Sequence, residues 1–148
     1  MTTVSATAVI HRPVADVFAF ITEPRNSLRW RSTGGLKSSR YVPEGGIGVG
    51  TRIMEARHLM GHTSESTSEV TEYEPNRTYT RHLIAGSSPI QRETSVFEPL
   101  AEGTRWTVLL DVQADGLFGI AEPLVAAAVK RGLDRTMAEA KALLERAA

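Results

Sequence analysis

Val4, Ala6, Ala8 and Ile10 alternate with Ser5, Thr7 and Val9, the two-residue period of a strand with one buried face. At Arg12-Pro13 the period changes. Pro13 suits a first helical position, and Val14, Val17, Phe18 and Ile21 recur at helical spacing. This short amphipathic helix ends near Thr22-Glu23-Pro24. Pro24 opens another brief helical turn through Leu28 and Trp30, since proline tolerates the start of a helix and not its interior. Two short helices therefore follow one strand.

From Leu36 to Asp115 the pattern is one of strands and turns. Breakers fall at Pro43-Glu44-Gly45-Gly46, Met60-Gly61, Glu74-Pro75-Asn76, Gly86-Ser87-Ser88-Pro89 and from Pro99 to Gly103. They divide the region into about six strands. The connections are short, which favours successive antiparallel hairpins over parallel crossovers, so a meander is expected. In the last strand Trp106, Val108, Leu110 and Val112 share one face, with Arg105, Thr107, Asp111 and Gln113 on the other.

After Gly116 the helical period returns. With Glu122-Pro123 as a start signal, the helix runs almost to Ala148. At about 100° per residue, Val125, Val129, Gly132, Leu133, Thr136, Ala140, Leu143 and Leu144 form one stripe. Lys130, Arg131, Asp134, Arg135, Lys141 and Glu145 lie opposite, so the stripe is expected to pack on the sheet. Gly132 interrupts that stripe at a cost of about 1 kcal/mol relative to alanine. Either the sheet approaches the helix backbone closely there, or the missing side chain leaves room for a ligand.

The chain has 148 residues, 41% of them hydrophobic, which suits a single domain over 1–148 with one sizeable core. Seventeen basic residues balance seventeen acidic ones, so no overall field favours nucleic acid or an anionic membrane. With no cysteine, disulfides, thiolate catalysis and cysteine-based metal sites are excluded. No basic and apolar leader opens the chain, and no stretch approaches the roughly 20 apolar residues of a membrane span. The expectation is a cytoplasmic protein without membrane insertion. Oligomeric state is not encoded legibly.

Three stretches carry a family resemblance. They are Ile10-His11-Arg12-Pro13-Val14-Ala15-Asp16-Val17-Phe18 with its trailing Trp30, Val70-Thr71-Glu72-Tyr73-Glu74-Pro75-Asn76-Arg77, and Phe97-Glu98-Pro99 followed by Gly103-Thr104-Arg105-Trp106-Thr107. Their order and spacing resemble the polyketide cyclase/dehydrase branch of the START-like SRPBCC superfamily. The resemblance implies an α+β helix-grip fold: a curved antiparallel sheet of about seven strands, two short helices after the first, and a long C-terminal helix across the sheet. It also implies a hydrophobic cavity between sheet and helix. Relatives use that cavity for lipids, sterols, plant hormones, polyketides or isoprenoid quinones, so function must be argued from the site.

The expected cavity wall comprises Phe18, Trp30, Met54, His58, Tyr79, Phe97, Trp106 and Val108 from the first helices and the sheet. The long helix contributes Val125, Val129, Gly132, Leu133 and Thr136, the last offering a hydroxyl. With aromatic residues at 6%, the wall is expected to be aliphatic with a few rings at its ends.

Candidate chemistry is sparse. The segment Pro43 to Thr51, PEGGIGVGT, lacks the Gly-Lys-Ser/Thr ending of a phosphate-binding loop and reads as a hairpin turn. The plant-allergen branch has a similar loop at this place, which allows a flap near the cavity. His58 and His62 have no third ligand, so no metal is expected, and no cofactor is assigned. His82 and Arg81 sit where the alternation leaves either one pointing inward. If Phe97 lies beside Trp106 on the inner face, Ser95 and Glu93 also point inward and Arg92 outward. An inward Glu93 without a cation would have its pKa raised toward neutrality, as general acid–base work requires.

The leading expectation is a binding module for an apolar or amphipathic small molecule. The alternatives are a cyclase or dehydratase using Glu93, His82 or His58, and a protein-interaction module with a filled core and an exposed apolar patch.

Overall fold

Residues 2–10 form the first strand, β1 (Thr2–Ile10), in a computed structural model that describes residues 1–114 and 119–146. The expected boundaries at Asp115, Gly116 and Ala148 fall outside the described residues. Helix α1 (Val14–Thr22) starts directly after Pro13 and buries Val17, Phe18, Ile21 and Thr22. A 3₁₀ turn at Pro24–Asn26 leads into α2 (Ser27–Arg31), and a second 3₁₀ turn, Ser32–Gly34, closes this segment.

Six further strands follow: β2 (Leu36–Val42), β3 (Arg52–Leu59), β4 (His62–Glu74), β5 (Thr78–Gly86), β6 (Ile90–Leu100) and β7 (Gly103–Val112). All pairings are antiparallel, in the order β1-β7-β6-β5-β4-β3-β2. β2 to β7 thus form a meander, and β1 crosses to pair with β7. Bulges between Thr67 and Ser68 and between Val70 and Glu72 let β4 bend, which curves the sheet. The tight turn at Met60-Gly61 places both residues at positive φ, as a two-residue hairpin requires.

Helix α3 (Glu122–Arg146) lies in the concavity and buries Val125, Ala126, Val129, Leu133, Thr136, Met137, Ala140 and Leu144. No helix is long and apolar enough to cross a membrane among the described residues. The core falls into two clusters. The larger joins α1, α3, β1, β6 and β7 around Ile10, Val17, Trp106 and Val125, while the smaller comprises Tyr41, Ile53, Val70 and Tyr79. A cleft separates them.

Gly132 faces an unexpected neighbour. A Cβ there would lie 3.5 Å from the Gly34 carbonyl oxygen and 3.7 Å from Gly34 Cα. The backbone nearest to Gly132 is therefore that of the Ser32–Gly34 turn and not the sheet, and both distances are ordinary contacts.

Candidate functional site

Strand register gathers a charged group on the inner face of the sheet. Glu55 pairs with Ser39 on one side and Ser66 on the other, and Arg81 pairs directly with Glu93. Arg31, the last residue of α2, reaches the same place from the helical layer. Its guanidinium grips Glu55 with two bonds, Nη1 to Oε2 at 2.5 Å and Nη2 to Oε1 at 2.9 Å. Ser39 Oγ donates to Glu55 Oε2 at 3.2 Å, and Arg81 Nη2 lies 3.2 Å from Glu55 Oε1 and 3.4 Å from Glu93 Oε1. Arg57, on β3 with the inward parity of Ile53 and Glu55, makes no ion pair within 4 Å among the described residues.

The electrostatics follow from burial and these neighbours. Burial would raise the Glu55 pKa, but Arg31 and then Arg81 outweigh it and hold the carboxyl far below the usual carboxylate range. Glu93 is shifted the same way: burial is overcome by Arg81 and Arg31, and the net shift is downward. Burial followed by repulsion from Arg31 lowers the Arg57 guanidinium to about 10. Arg81 is held protonated against its own burial by Glu55 and Glu93.

Beside this group runs the cleft. Ile21, Ile90, Val108, Leu110, Val129 and Leu133 supply its apolar walls, and Trp30, Tyr41 and Tyr79 its rings. Arg31, Arg57, Glu93, Ser27 and Ser95 make one side polar. The cleft is narrow, with a cavity volume of about 50 Å³. A smaller space of about 20 Å³, bordered by Glu55, Arg81, Ser66, Ser68 and the exposed Arg92, shares Arg57, Ile90 and Glu93 with the cleft. Two buried donors in this region have no acceptor, Trp30 Nε1 and Arg81 Nη1.

Of the expected wall, Trp30, Tyr79, Val108, Val129, Gly132, Leu133 and Thr136 border the cleft. The Thr136 hydroxyl donates its proton to Leu133 O at 3.0 Å within its own helix. Phe18, Phe97, Trp106 and Val125 belong to the packed core behind. The Phe18 ring meets Phe97 edge-on at 5.0 Å, and Trp106 is fully buried with Nε1 bonded to Ser95 Oγ at 3.3 Å. Met54 and His58 are corrections. Ile53, Glu55 and Arg57 point inward, so the two-residue period sends Met54 and His58 to the outer face. There Met54 Sδ meets Arg40 and His58 Nδ1 meets Thr63 Oγ1 at 3.1 Å.

His82 is likewise outside, paired with Glu69 and Arg92, so Arg81 takes the inward position. His58 and His62 stand at successive pairs of their hairpin, opposite Thr63 and Leu59, and hence on opposite faces. No group of three possible metal ligands occurs among the described residues. Glu93 points inward on the face that carries Phe97 and Trp106, opposite Leu110, yet the expected rise in its pKa is corrected: Arg81 supplies the cation whose absence that argument required. The sequence reasoning missed Arg31, Glu55 and Arg57. The signal for Glu55 and Arg57 was the parity they share with Ile53 in β3; Arg31, at the end of α2, had none.

Solved structures of low identity share this fold. A START superfamily protein of Mycobacterium smegmatis matches with a TM-score of 0.81 and 15% identity over 99% of each chain. A Thermus thermophilus protein matches at 0.77 with 18% identity over 99% of each. A Mesorhizobium loti protein matches at 0.73 with 20% identity over 98% of each. No curated protein matches the chain. The family described as polyketide cyclase / dehydrase and lipid transport matches residues 1–145. With that match along nearly its whole length, the chain belongs to the polyketide cyclase / dehydrase and lipid transport family.

Proposed function

We propose that the protein binds an amphipathic small molecule in the cleft between the sheet and α3. The observation that carries this is the composition of the cleft: continuous apolar walls from α1, α3, β6 and β7, with one charged side built from Arg31, Arg57 and Glu93. Apolar walls favour a hydrocarbon body and the polar groups fix its orientation; because the cavity of about 50 Å³ is smaller than such a body, binding requires the wall side chains to move apart. The family description, which names lipid transport beside polyketide chemistry, supports the same class of ligand. Proton transfer has weaker support. His58 and His82 lie on the outer face, and Glu93 is held as an anion by Arg81 and so is a weak base near neutral pH. A filled-core interaction module also has weaker support, since a cleft lies between the two core clusters.

The test is saturable binding of the neutral fluorophore N-phenyl-1-naphthylamine. Val129→Trp fills the cleft and is expected to weaken the fluorophore by about tenfold while keeping the native circular dichroism. Absence of saturable binding to the wild type, or unchanged affinity in the folded variant, would refute the assignment.

A further inference from the structure

Four guanidiniums, Arg31, Arg57, Arg81 and the solvent-exposed Arg92, and two carboxylates, Glu55 and Glu93, border the cleft and the smaller space; with Arg92 turned to water, the inward groups carry an excess of one positive charge. Glu55 is saturated by Arg31, Arg81 and Ser39. Glu93 is engaged by Arg81. Arg57 is the cation left over, and it borders both the cleft and the smaller space beside it.

A second observation points the same way. Arg81 is 6% exposed, and its Nη1 has no partner although Nη2 holds both glutamates. Trp30 Nε1, whose residue borders the cleft, also lacks an acceptor. Guanidinium and indole nitrogens only donate, so their unmet need is for acceptor oxygens and not for further donors. Burying such groups unpaired is costly, and a ligand oxygen arriving there would meet sites already desolvated.

The charge of that ligand is bounded from both sides. An ammonium head would face Arg57. A dianionic phosphate would bring two charges against an inward excess of one and would lie beside the Glu55 and Glu93 carboxylates in a space of about 20 Å³, with only the exposed Arg92 at its rim to offset the second charge. A planar monoanion fits.

Resting on the amphiphile-binding reading above, we infer that the ligand is a slender monocarboxylic acid whose carboxylate is received by Arg57 and the free edge of Arg81, with its hydrocarbon body along Val108, Val129 and Leu133. A charge-assisted hydrogen bond of this kind contributes roughly 10- to 100-fold in affinity over a neutral head.

Decanoate, decan-1-ol and decylamine separate the possibilities when each displaces N-phenyl-1-naphthylamine at pH 8. Decanoate is expected to bind at least about tenfold tighter than decan-1-ol, with decylamine weakest. Arg57→Gln, which breaks no ion pair, should reduce that preference to about twofold, with decan-1-ol losing far less affinity than decanoate because the amide still offers a donor to a neutral oxygen, and Arg57→Lys should restore part of it. Binding of decan-1-ol without preference for decanoate, a preference for decylamine, or a preference that survives Arg57→Gln overturns the carboxylate assignment and leaves amphiphile binding standing. Failure of the fluorophore and all three amphiphiles to bind overturns both.

Discussion

Both carboxylate oxygens of Glu55 are engaged, by Arg31, Arg81 and Ser39, in a region where neither ion reaches bulk water. Removing one member of such a group leaves the others as uncompensated buried charge. Glu55→Gln is therefore expected to cost about 3–5 kcal/mol in urea unfolding. A loss below about 1 kcal/mol would mean that Arg31 and Arg81 are solvated without it. Acid should act through the same atoms. Glu55 and Glu93 bind their protons less tightly folded than unfolded, so their contribution is complete above the ordinary value of 4.5 and disappears as pH falls below it. Urea midpoints across pH 6 to 3 should drop in the wild type and drop less in Glu55→Gln. Glu93 was legible as an inward residue because Phe97 and Trp106 anchor the parity of β6 and β7. Its cation was not. Both Thr80 and Arg81 are buried in β5, one on each face, so hydrophobic alternation carries no information at that step.

At the scale of elements, α3 is fastened to an edge. β1 has a strand neighbour on one side only, and lysines of α3 cover its other side. Lys130 Nζ donates to Ser5 O at 2.9 Å and Lys141 Nζ to Val9 O at 2.6 Å, while Arg12 Nη1 donates to Leu144 O at 2.7 Å. The face expected to be solvated thus also protects an open strand edge. The helix stripe was readable from periodicity, but its contact with the Ser32–Gly34 turn was not, because a short turn has no period to place it. Two substitutions weigh that contact. A Cβ on Gly132 meets ordinary distances, so Gly132→Ala should gain up to about 1 kcal/mol of helix propensity. A Cβ on Gly34 would stand 2.6 Å from Thr136 Cγ2 and 3.0 Å from Gly132 O, and Gly34→Ala should lose about 1–3 kcal/mol. Thermal melts that rank the two variants in the opposite order would show that α3 and the turn do not pack this way.

Over the whole molecule, the element order and the long helix were legible because each rests on local signals: a change of period, a proline, a run of turn residues. The site was legible in half. Its helical wall, Val129 to Thr136, follows from one stripe, whereas its charged side is assembled from α2, β3, β5 and β6 and depends on registers fixed by bulges that no local pattern marks. The cleft between the two core clusters has an optical consequence. The chain has only two tryptophans, and both are buried, with rings 5.5 Å apart. Trp30 borders the cleft with its N–H unpaired, while Trp106 lies behind it with its N–H already bonded. Intrinsic fluorescence therefore combines a responsive emitter and a reference in one molecule. Occupancy of the cleft should shift the emission without any label, and Trp30→Phe should silence the shift while the Trp106 emission remains.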